Sequence, residues 1–212
     1  FSTNPYVNIM SNPIVIPKNL IPNPLIHNPS ILLHCCCAPC SGGIITSLLD
    51  SALMPTVLFY NPNIHPEDEY LLRKRTLIAF LEKNHVPFID SDYDPDRWLK
   101  TTEGLEQEPQ RGKRCSLCFQ IRLDYSARLA AEKGFRILSS SFGISRWKNM
   151  DQVNQAGQLA AKKYDITYWD YNWRKKGGQD LMREVTRREA FYEQTYCGCR
   201  YSVPPVPSQN PA

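Results

Sequence analysis

Short apolar segments alternate with helical segments along residues 31–193 of this 212-residue chain. Five runs read as strands, beginning with "ILLHC" (31–35) and "TVLFY" (56–60), and a stretch of helical periodicity follows each of them. This alternation predicts an α/β fold, in which a parallel sheet carries helices on both faces. Functional groups in such sheets collect beyond the carboxyl ends of the strands. The sequence therefore predicts a single α/β domain with its site at that edge.

Proline-rich segments flank this region. Residues 1–30 contain six prolines, six asparagines and no acidic residue, and residues 203–212 contain four more prolines. Segments of this kind bury too little apolar surface to fold alone. We therefore expect an N-terminal arm over 1–30, a folded domain over 31–202 and a C-terminal tail over 203–212. The apolar pieces of the arm are expected to lie along the domain.

The chain lacks the sequence features of secreted and membrane proteins. It has neither an apolar run of about 18 residues nor a basic segment followed by an apolar leader. We expect a cytoplasmic protein without a membrane partner. The formal charge of +4 permits a nucleic-acid partner without requiring one.

The eight cysteines fall into three groups rather than being spread along the chain. They are Cys35, Cys36, Cys37 and Cys40, then Cys115 and Cys118, then Cys197 and Cys199. Disulfide scaffolds distribute their cysteines to tie loops together, whereas metal sites group them. The grouping favours metal binding or redox chemistry over structural disulfides.

The first two groups together offer a four-thiolate site. Cys115 and Cys118 form C-x-x-C at the start of a predicted helix, where the positive end of the helix dipole favours thiolates. Cys36 and Cys37 leave the first strand at the same edge of the sheet. Such a site suits zinc or an iron–sulfur cluster. Adjacent cysteines are awkward for tetrahedral zinc, so the chemistry favours the cluster.

The third group, in "YCGCRYS", indicates redox chemistry. One glycine between Cys197 and Cys199 allows a strained small-ring disulfide, and strained disulfides are the labile, catalytic kind. Two further metal ligands or a structural pair are the alternatives.

Ser41, Gly42 and Gly43 follow the first strand and precede a helix. PP-loop pyrophosphatases hold pyrophosphate on backbone N–H groups at such a place. The chain departs from that pattern after Gly43, so a tight turn with Ser41 near the helix cap is an equal alternative.

Basic and aromatic residues group near the predicted site and suit an RNA with unpaired bases. Among them we expect Arg114, Arg174 and Lys175 to contact substrate. Asp94, after the third strand, has two interpretations: a ligand for a hard metal ion or the N-cap of a short helix.

The chain resembles the cobalamin-independent, iron–sulfur epoxyqueuosine reductases of tRNA queuosine synthesis. The resemblance covers nearly all of 31–202 and rests on "HCCCAPCS", "FYNPNIHPEDEY", "DYDPDRW", "GLEQEPQRGKRCSLCFQIRL" and "FYEQTYCGCRYS". The chain differs from some members at "NWRKKGG" and "SSSFGISRWKN".

The resemblance implies an adenine-nucleotide-hydrolase-like, Rossmann-like fold. It implies a [4Fe–4S] cluster on Cys36, Cys37, Cys115 and Cys118, with a second iron for which Cys40 and Asp94 are the candidate ligands. It also implies that Cys197 and Cys199 form a redox-active disulfide. The expected reaction is reduction of the epoxide on the modified wobble base of tRNA, giving queuosine, with an unidentified electron donor. An open iron position would act as a Lewis acid toward the epoxide oxygen.

Two alternatives remain open at this stage. One is a cluster-containing PP-loop tRNA thiolase, which requires ATP at the Ser-Gly-Gly segment. The other is a zinc-stabilised RNA-binding module without catalysis, in which Cys197 and Cys199 are dispensable.

Overall fold

A five-stranded parallel sheet forms the centre of the molecule. The computed structural model describes residues 15–22, 30–145 and 148–202. The strands are β1 (Ile31–His34), β2 (Pro55–Phe59), β3 (Phe88–Asp90), β4 (Ile137–Ser140) and β5 (Thr167–Tyr168). Their order in the sheet is β3-β2-β1-β4-β5, and each neighbouring pair is parallel. The expected α/β class is thereby confirmed.

Six helices cover the sheet in the described part of the chain. They are α1 (Ala38–Asp50), α2 (Glu67–Lys83), α3 (Pro95–Thr101), α4 (Lys113–Glu132), α5 (Met150–Lys163) and α6 (Gly178–Arg188). Helix α1 packs against α2 and α6, whereas α4 packs against α5. Right-handed crossovers place these two groups on opposite faces of the sheet.

The order in which the chain adds strands reverses at β1, which pairs with β2 on one side and with β4 on the other. All four residues of β1 and of β4 are buried, as covered parallel strands require. The carboxyl ends of β1 and β4 lie side by side at the point where the chain changes direction. Ligand sites of α/β proteins form at such a point.

Several boundaries differ from the sequence-based expectation. Helix α4 begins at Lys113 rather than at Cys115. Helix α6 ends at Arg188 rather than near residue 193, and Ala190 then takes a left-handed backbone conformation with φ of 48°. This backbone conformation ends the helical path, and the segment after residue 190 runs back toward the carboxyl edge of the sheet.

Part of the predicted N-terminal arm packs on the domain. Ile16 is buried in the core, and its N–H donates to Ser51 Oγ at 2.8 Å. The carbonyl of Leu20 accepts a hydrogen bond from Trp169 Nε1 at 2.9 Å. The expected packing of the arm holds for residues 15–22. Residues 1–14, 23–29 and the predicted tail 203–212 lie outside the described residues.

None of the helices in the described ranges is both long enough and apolar enough to cross a bilayer.

Candidate functional site

A cavity of about 290 Å³ opens at the carboxyl edge of the sheet. Side chains from several distant parts of the sequence line it, among them the loop after β1, the start of α4 and the segment after α6. Six of its lining residues are cysteines: Cys36, Cys40, Cys115, Cys118, Cys197 and Cys199. The fold therefore brings the three cysteine groups of the sequence to one place.

The cysteines after β1 form a compact triad. The sulfurs of Cys36, Cys37 and Cys40 all lie within 4.8 Å of one another, and Cys36 Sγ is 3.8 Å from Cys37 Sγ. Hydrogen bonds from the other two thiols lower the pKa of Cys36, and Lys148 and Arg122 add to this effect. The same coupling raises the pKa of Cys37 to about 12 and that of Cys40 well above its usual value. The triad thus makes Cys36 the most acidic of three neighbouring thiols, a group suited to a metal ion.

The backbone at the triad is fixed by neighbouring polar groups. Cys37 is the N-cap of α1, with extended backbone, and the N–H of Cys36 donates to Ser141 Oγ at 3.3 Å. Gln194 Nε2 donates to Cys37 Sγ at 3.0 Å. The loop after β1 is therefore held to β4 and to the segment after α6.

Cys115 and Cys118 lie in the first two turns of α4, one turn apart on the side that faces the cavity. The N–H of Arg111 donates to Cys115 Sγ at 3.3 Å, and Arg122 Nη1 lies 4.0 Å from Cys118 Sγ. The expected thiolate character of Cys115 is not found. Burial raises its pKa and outweighs the hydrogen bond from Arg111.

The Cys197–Gly198–Cys199 loop forms another wall of the cavity. Both cysteines are free thiols, Cys197 exposed and Cys199 buried. Gly198 has φ of 94°, a conformation that favours glycine, so the expected backbone freedom is used. The S–H of Cys199 and then the hydroxyl of Ser202, 3.0 Å from Cys197 Sγ, lower the pKa of Cys197. The pKa of Cys199 is raised because it donates to Cys197 and is desolvated.

The cavity is lined by basic residues without acidic ones. Among the described residues that line it are Arg73, Arg111, Arg114, Arg122 and Lys148, and no Asp or Glu. Arg122 is buried, and its guanidinium lies 4.2 Å from the centre of the Phe142 ring and hydrogen-bonds to Asn61 Oδ1. Such a lining favours anions: metal-bound thiolates inside and phosphates at the mouth.

Two of the predicted substrate contacts are arginines that hold backbone carbonyls. Arg114 lines the cavity but is buried, and its Nη1 donates to Leu105 O at 2.7 Å and to Glu106 O at 2.8 Å. Arg174 donates to the carbonyl oxygens of Gly143 at 2.7 Å and Lys148 at 2.9 Å. Both therefore shape the loops beside the cavity.

Lys175 and Asp94 lie outside this cavity. Lys175 is exposed and lines a second, more open pocket together with Trp169 and Tyr171. Asp94 is the N-cap of α3, where its Oδ1 accepts from Arg97 N at 3.2 Å. The capping interpretation of Asp94 is thus confirmed, and its role as a metal ligand stays a prediction.

The Ser-Gly-Gly segment is neither a turn nor a phosphate loop. Ser41, Gly42 and Gly43 lie inside α1 and are buried. A Cβ on Gly43 would lie 2.9 Å from the backbone of Met182, and one on Gly42 would lie 2.8 Å from the Phe191 ring. The glycines let α6 approach α1 closely. The expectation of a nucleotide-binding turn here was wrong, because the helix starts at Ala38.

Sequence reasoning missed Arg73, Lys148 and Gln194. Arg73 had a detectable signal, since it lies three residues after Tyr70 and four before Leu77 on the buried face of α2. Gln194 lies in an irregular segment, where no periodicity marks the inward side chains.

Comparison with known proteins places this geometry in a family. The family model described as "Epoxyqueuosine reductase QueH" matches residues 31–204. The chain belongs to this family. The match begins where the folded domain was expected to begin and runs two residues past its expected end at 202.

Several bacterial members of the QueH family are close relatives. The epoxyqueuosine reductase QueH of Acinetobacter baylyi is 55% identical over 174 residues, which cover 82% of this chain and 80% of that protein. The one of Histophilus somni is 51% identical over 194 residues, covering 91% of this chain and 79% of that protein. The match to the family extends over most of the chain.

A solved structure shares the fold of this QueH family member. It is the U34-tRNA thiolase NcsA from Methanococcus maripaludis with its [4Fe–4S] cluster, at a TM-score of 0.54 and 13% identity. The match covers 88% of this chain and 65% of that one. This likeness supports the expected α/β fold.

The residues around the cavity fit a thiolate-bound cluster in this QueH family member. Trp98 Nε1 and Arg122 Nε are buried donors without a hydrogen-bond partner among the described residues, and both residues line the cavity. Buried donors without partners are costly, and sulfurs of a metal–thiolate group accept such hydrogen bonds. Cysteines from both the triad and the C-x-x-C pair, together with the cations of Arg122 and Lys148 beside them, suit an anionic cluster better than zinc alone.

Proposed function

We propose that this chain reduces the epoxide of epoxyqueuosine at the wobble position of tRNA, giving queuosine. Loss of the epoxide oxygen consumes two electrons and two protons and releases one water, and the two ring carbons that held the oxygen become doubly bonded. Membership of the QueH family and the meeting of three cysteine groups in one cavity support this activity.

Cys36, Cys37, Cys115 and Cys118 are the proposed ligands of a [4Fe–4S] cluster. The observation that carries this proposal is that Cys36, Cys115 and Cys118 line one cavity without a carboxylate among its described residues, although the two groups are about 80 residues apart in sequence. Cys37 Sγ lies 3.8 Å from Cys36 Sγ. Four cysteine thiolates are the usual ligand set of such clusters. When bound, the cluster supplies one-electron transfer to the site.

We also propose a second iron beside the cluster. Cys40 is its candidate thiolate, because its sulfur faces the same cavity as Cys36. Asp94 is its candidate carboxylate; its Oδ1 already caps α3.

Cys197 and Cys199 are the proposed two-electron donor. Oxidation of two thiols to one disulfide releases two electrons and two protons, which balances the epoxide reduction. The pKa of Cys197 is lowered and that of Cys199 is raised, so Cys197 is the more readily ionised thiol and Cys199 is the one that retains its proton beside the cavity. An electron donor, not yet identified, must return the disulfide to the dithiol after each turnover.

The substrate is proposed to enter across the basic mouth of the cavity. The exposed Arg111 presents positive charge there, which attracts the phosphates of an anticodon loop, whereas the Lys148 ammonium acts on Cys36 inside the cavity. Arg114, Arg174 and Lys175 remain the proposed substrate contacts, the two arginines through the loops that they hold. A tRNA partner accords with the proposed cytoplasmic location.

The test uses anaerobically purified protein and tRNA from cells that lack it. The unchanged chain should contain iron and sulfide and should convert the epoxide nucleoside to one lighter by one oxygen, measured by mass spectrometry. Cys197→Ser and Cys199→Ser should each keep the iron and lose turnover. Cys118→Ser should lose both. A colourless protein with one zinc and no sulfide would contradict the proposed cluster. Full turnover by Cys199→Ser would contradict the proposed redox pair.

A further inference from the structure

Arg73 of α2 is buried against the loop that carries Cys197 and Cys199. Its side chain is 2% exposed. Nη1 donates to Cys197 O at 3.3 Å and Nη2 donates to Tyr196 O at 3.1 Å. The guanidinium also lies 5.3 Å from the centre of the Tyr196 ring. One side chain thus holds two successive carbonyls of the loop.

The guanidinium is itself fixed from the opposite side. Arg73 Nε donates to Glu69 Oε1 at 2.7 Å, one helical turn earlier. The other oxygen of Glu69 accepts from Tyr192 OH at 2.8 Å. Glu69 therefore orients the arginine and neutralises its charge, while Tyr192 ties the same carboxylate to the start of the loop.

The far side of the loop is paired to a second segment. His65 N donates to Gly198 O at 2.9 Å, and Ile64 forms an antiparallel bridge with Cys199. A Cβ on Gly198 would lie 2.9 Å from Ile64 Cγ1 and 3.1 Å from Arg73 Nη1. The loop is thus held between the residue 64–65 backbone and Arg73.

We propose that Arg73 is a positioning residue that holds the backbone of residues 196–197 so that the two thiols stay in reach of each other. This inference rests on the proposed role of Cys197 and Cys199 as a redox pair. Closing a disulfide requires a narrow range of backbone geometry. A loop already held near that geometry loses less conformational freedom on closure, so the disulfide forms more readily.

The geometry of the side chain, rather than its charge, carries this role. Glu69 pairs with the guanidinium, whose charge also acts on Cys37 and Cys36, and a lysine at this position would keep that charge. The planar fork of arginine can serve Glu69 and two carbonyls at once, whereas a lysine ammonium cannot match that arrangement. Arg73→Lys therefore removes the positioning while it keeps the charge.

The experiment measures how readily the pair closes. Anaerobic holoprotein is equilibrated in mixtures of oxidised and reduced glutathione, quenched in acid and alkylated, and the Cys197–Cys199 disulfide is quantified by mass spectrometry. Glutathione disulfide accepts the two electrons and two protons and becomes two thiols. We expect Arg73→Lys and Arg73→Gln to need a glutathione ratio about tenfold more oxidising, a shift of about 30 mV for a two-electron couple.

Two control variants on the same helix separate positioning from stability. Leu77→Ala removes a fully buried core side chain and so destabilises the fold. Arg75→Gln removes an exposed arginine. In both variants the Cys197–Cys199 disulfide should form at the same ratio of oxidised to reduced glutathione as in the unchanged chain.

The outcomes are distinct. The positioning role is overturned if Arg73→Lys forms the disulfide at the same glutathione ratio as the unchanged chain. It is also overturned if Leu77→Ala shifts that ratio as much as Arg73→Lys does. If the unchanged chain forms no Cys197–Cys199 disulfide at any ratio, the redox pair of the proposed function fails first, and the positioning role falls with it.

Discussion

Replacing Gly43 by alanine tests whether the Ser-Gly-Gly segment serves packing between α1 and α6. The added Cβ would lie 2.9 Å from both Cα and N of Met182 and 3.3 Å from the carbonyl carbon of Leu181. Ordinary contacts between carbon atoms are about 3.5–4.0 Å. The neighbouring atoms belong to the backbone of α6, so no side-chain rotation can relieve the overlap. The two helices must move apart instead.

Two opposing terms set the magnitude. Overpacking in a well-packed interior costs about 1–3 kcal/mol, and a backbone overlap belongs in the upper half of that range. Alanine in place of glycine inside a helix returns about 1 kcal/mol through helix propensity. The net loss is therefore about 1–2 kcal/mol in the free energy of unfolding. For a domain of this size that corresponds to a fall in Tm of about 2–8 °C.

The assay is thermal unfolding by circular dichroism, with variants and unchanged protein scanned side by side at one rate. Gln155→Ala, at an exposed position of α5, is the control for alanine substitution in a helix and should change the free energy of unfolding by less than about 0.5 kcal/mol. Iron content should be the same in Gly43→Ala as in the unchanged protein. A Tm of Gly43→Ala equal to or above that of the unchanged chain would refute the packing argument.

Three further predictions concern the site. Cys36→Ser should lose most of the bound iron and sulfide. Cys35→Ala, which removes a buried thiol outside the proposed ligand set, should keep both. Similar iron content in the two variants would contradict the ligand assignment. Ser202→Ala should move the pH midpoint of Cys197 alkylation upward, because the hydroxyl, after the neighbouring thiol, holds the pKa of Cys197 down and only the thiolate reacts; an unmoved midpoint contradicts this. Arg174→Gln should weaken tRNA binding several-fold at unchanged iron content, since it frees the loop carbonyls beside the cavity; unchanged KM for tRNA would exclude that role.

The fold could be predicted because its strongest signals are local. Each strand is a short apolar run, and β1 and β4 are buried along their whole length. Five such runs separated by helices leave few alternatives to a covered parallel sheet. The end of α6 could not be predicted, because Arg188 is followed by residues that are acceptable in a helix. The helix stops there through the left-handed backbone at Ala190, which the sequence does not mark with glycine.

The sequence does contain a signal for the true start of α1, namely Pro39. Pro39 lies in the first turn, a common position for proline in helices, and Cys37 is the N-cap although cysteine is not a usual cap residue. Ser41 as the cap would place the start of the helix four residues too late. The two glycines would then lie in a turn instead of at a contact between helices.

The cysteines of the candidate site could be predicted from the sequence, but the roles of its basic residues could not. The close spacing of the cysteines predicts a shared site, and the structure brings all three groups to one cavity. The roles of arginines depend on which carbonyls and sulfurs lie beside them in space. Of the adjacent Arg73, Lys74 and Arg75, only Arg73 is buried, and the two carbonyl groups that it binds lie more than 120 residues away in sequence.

The absence of carboxylates among the described lining residues explains how one cavity can serve two different anions. Arg122 is buried beside Cys118, with an amide oxygen and an aromatic face as its other neighbours. A carboxylate partner would neutralise this cation and remove its effect on the sulfurs. Without one, the positive charge favours thiolate ligands and the electron-rich state of the group that they bind. The exposed Arg111 extends the same positive potential outward, where it would attract the phosphates of a nucleic acid. In the proposed function, the charge that would stabilise a metal–thiolate group would thus also direct the substrate to it, so we expect an acidic residue at the rim to weaken both functions at once.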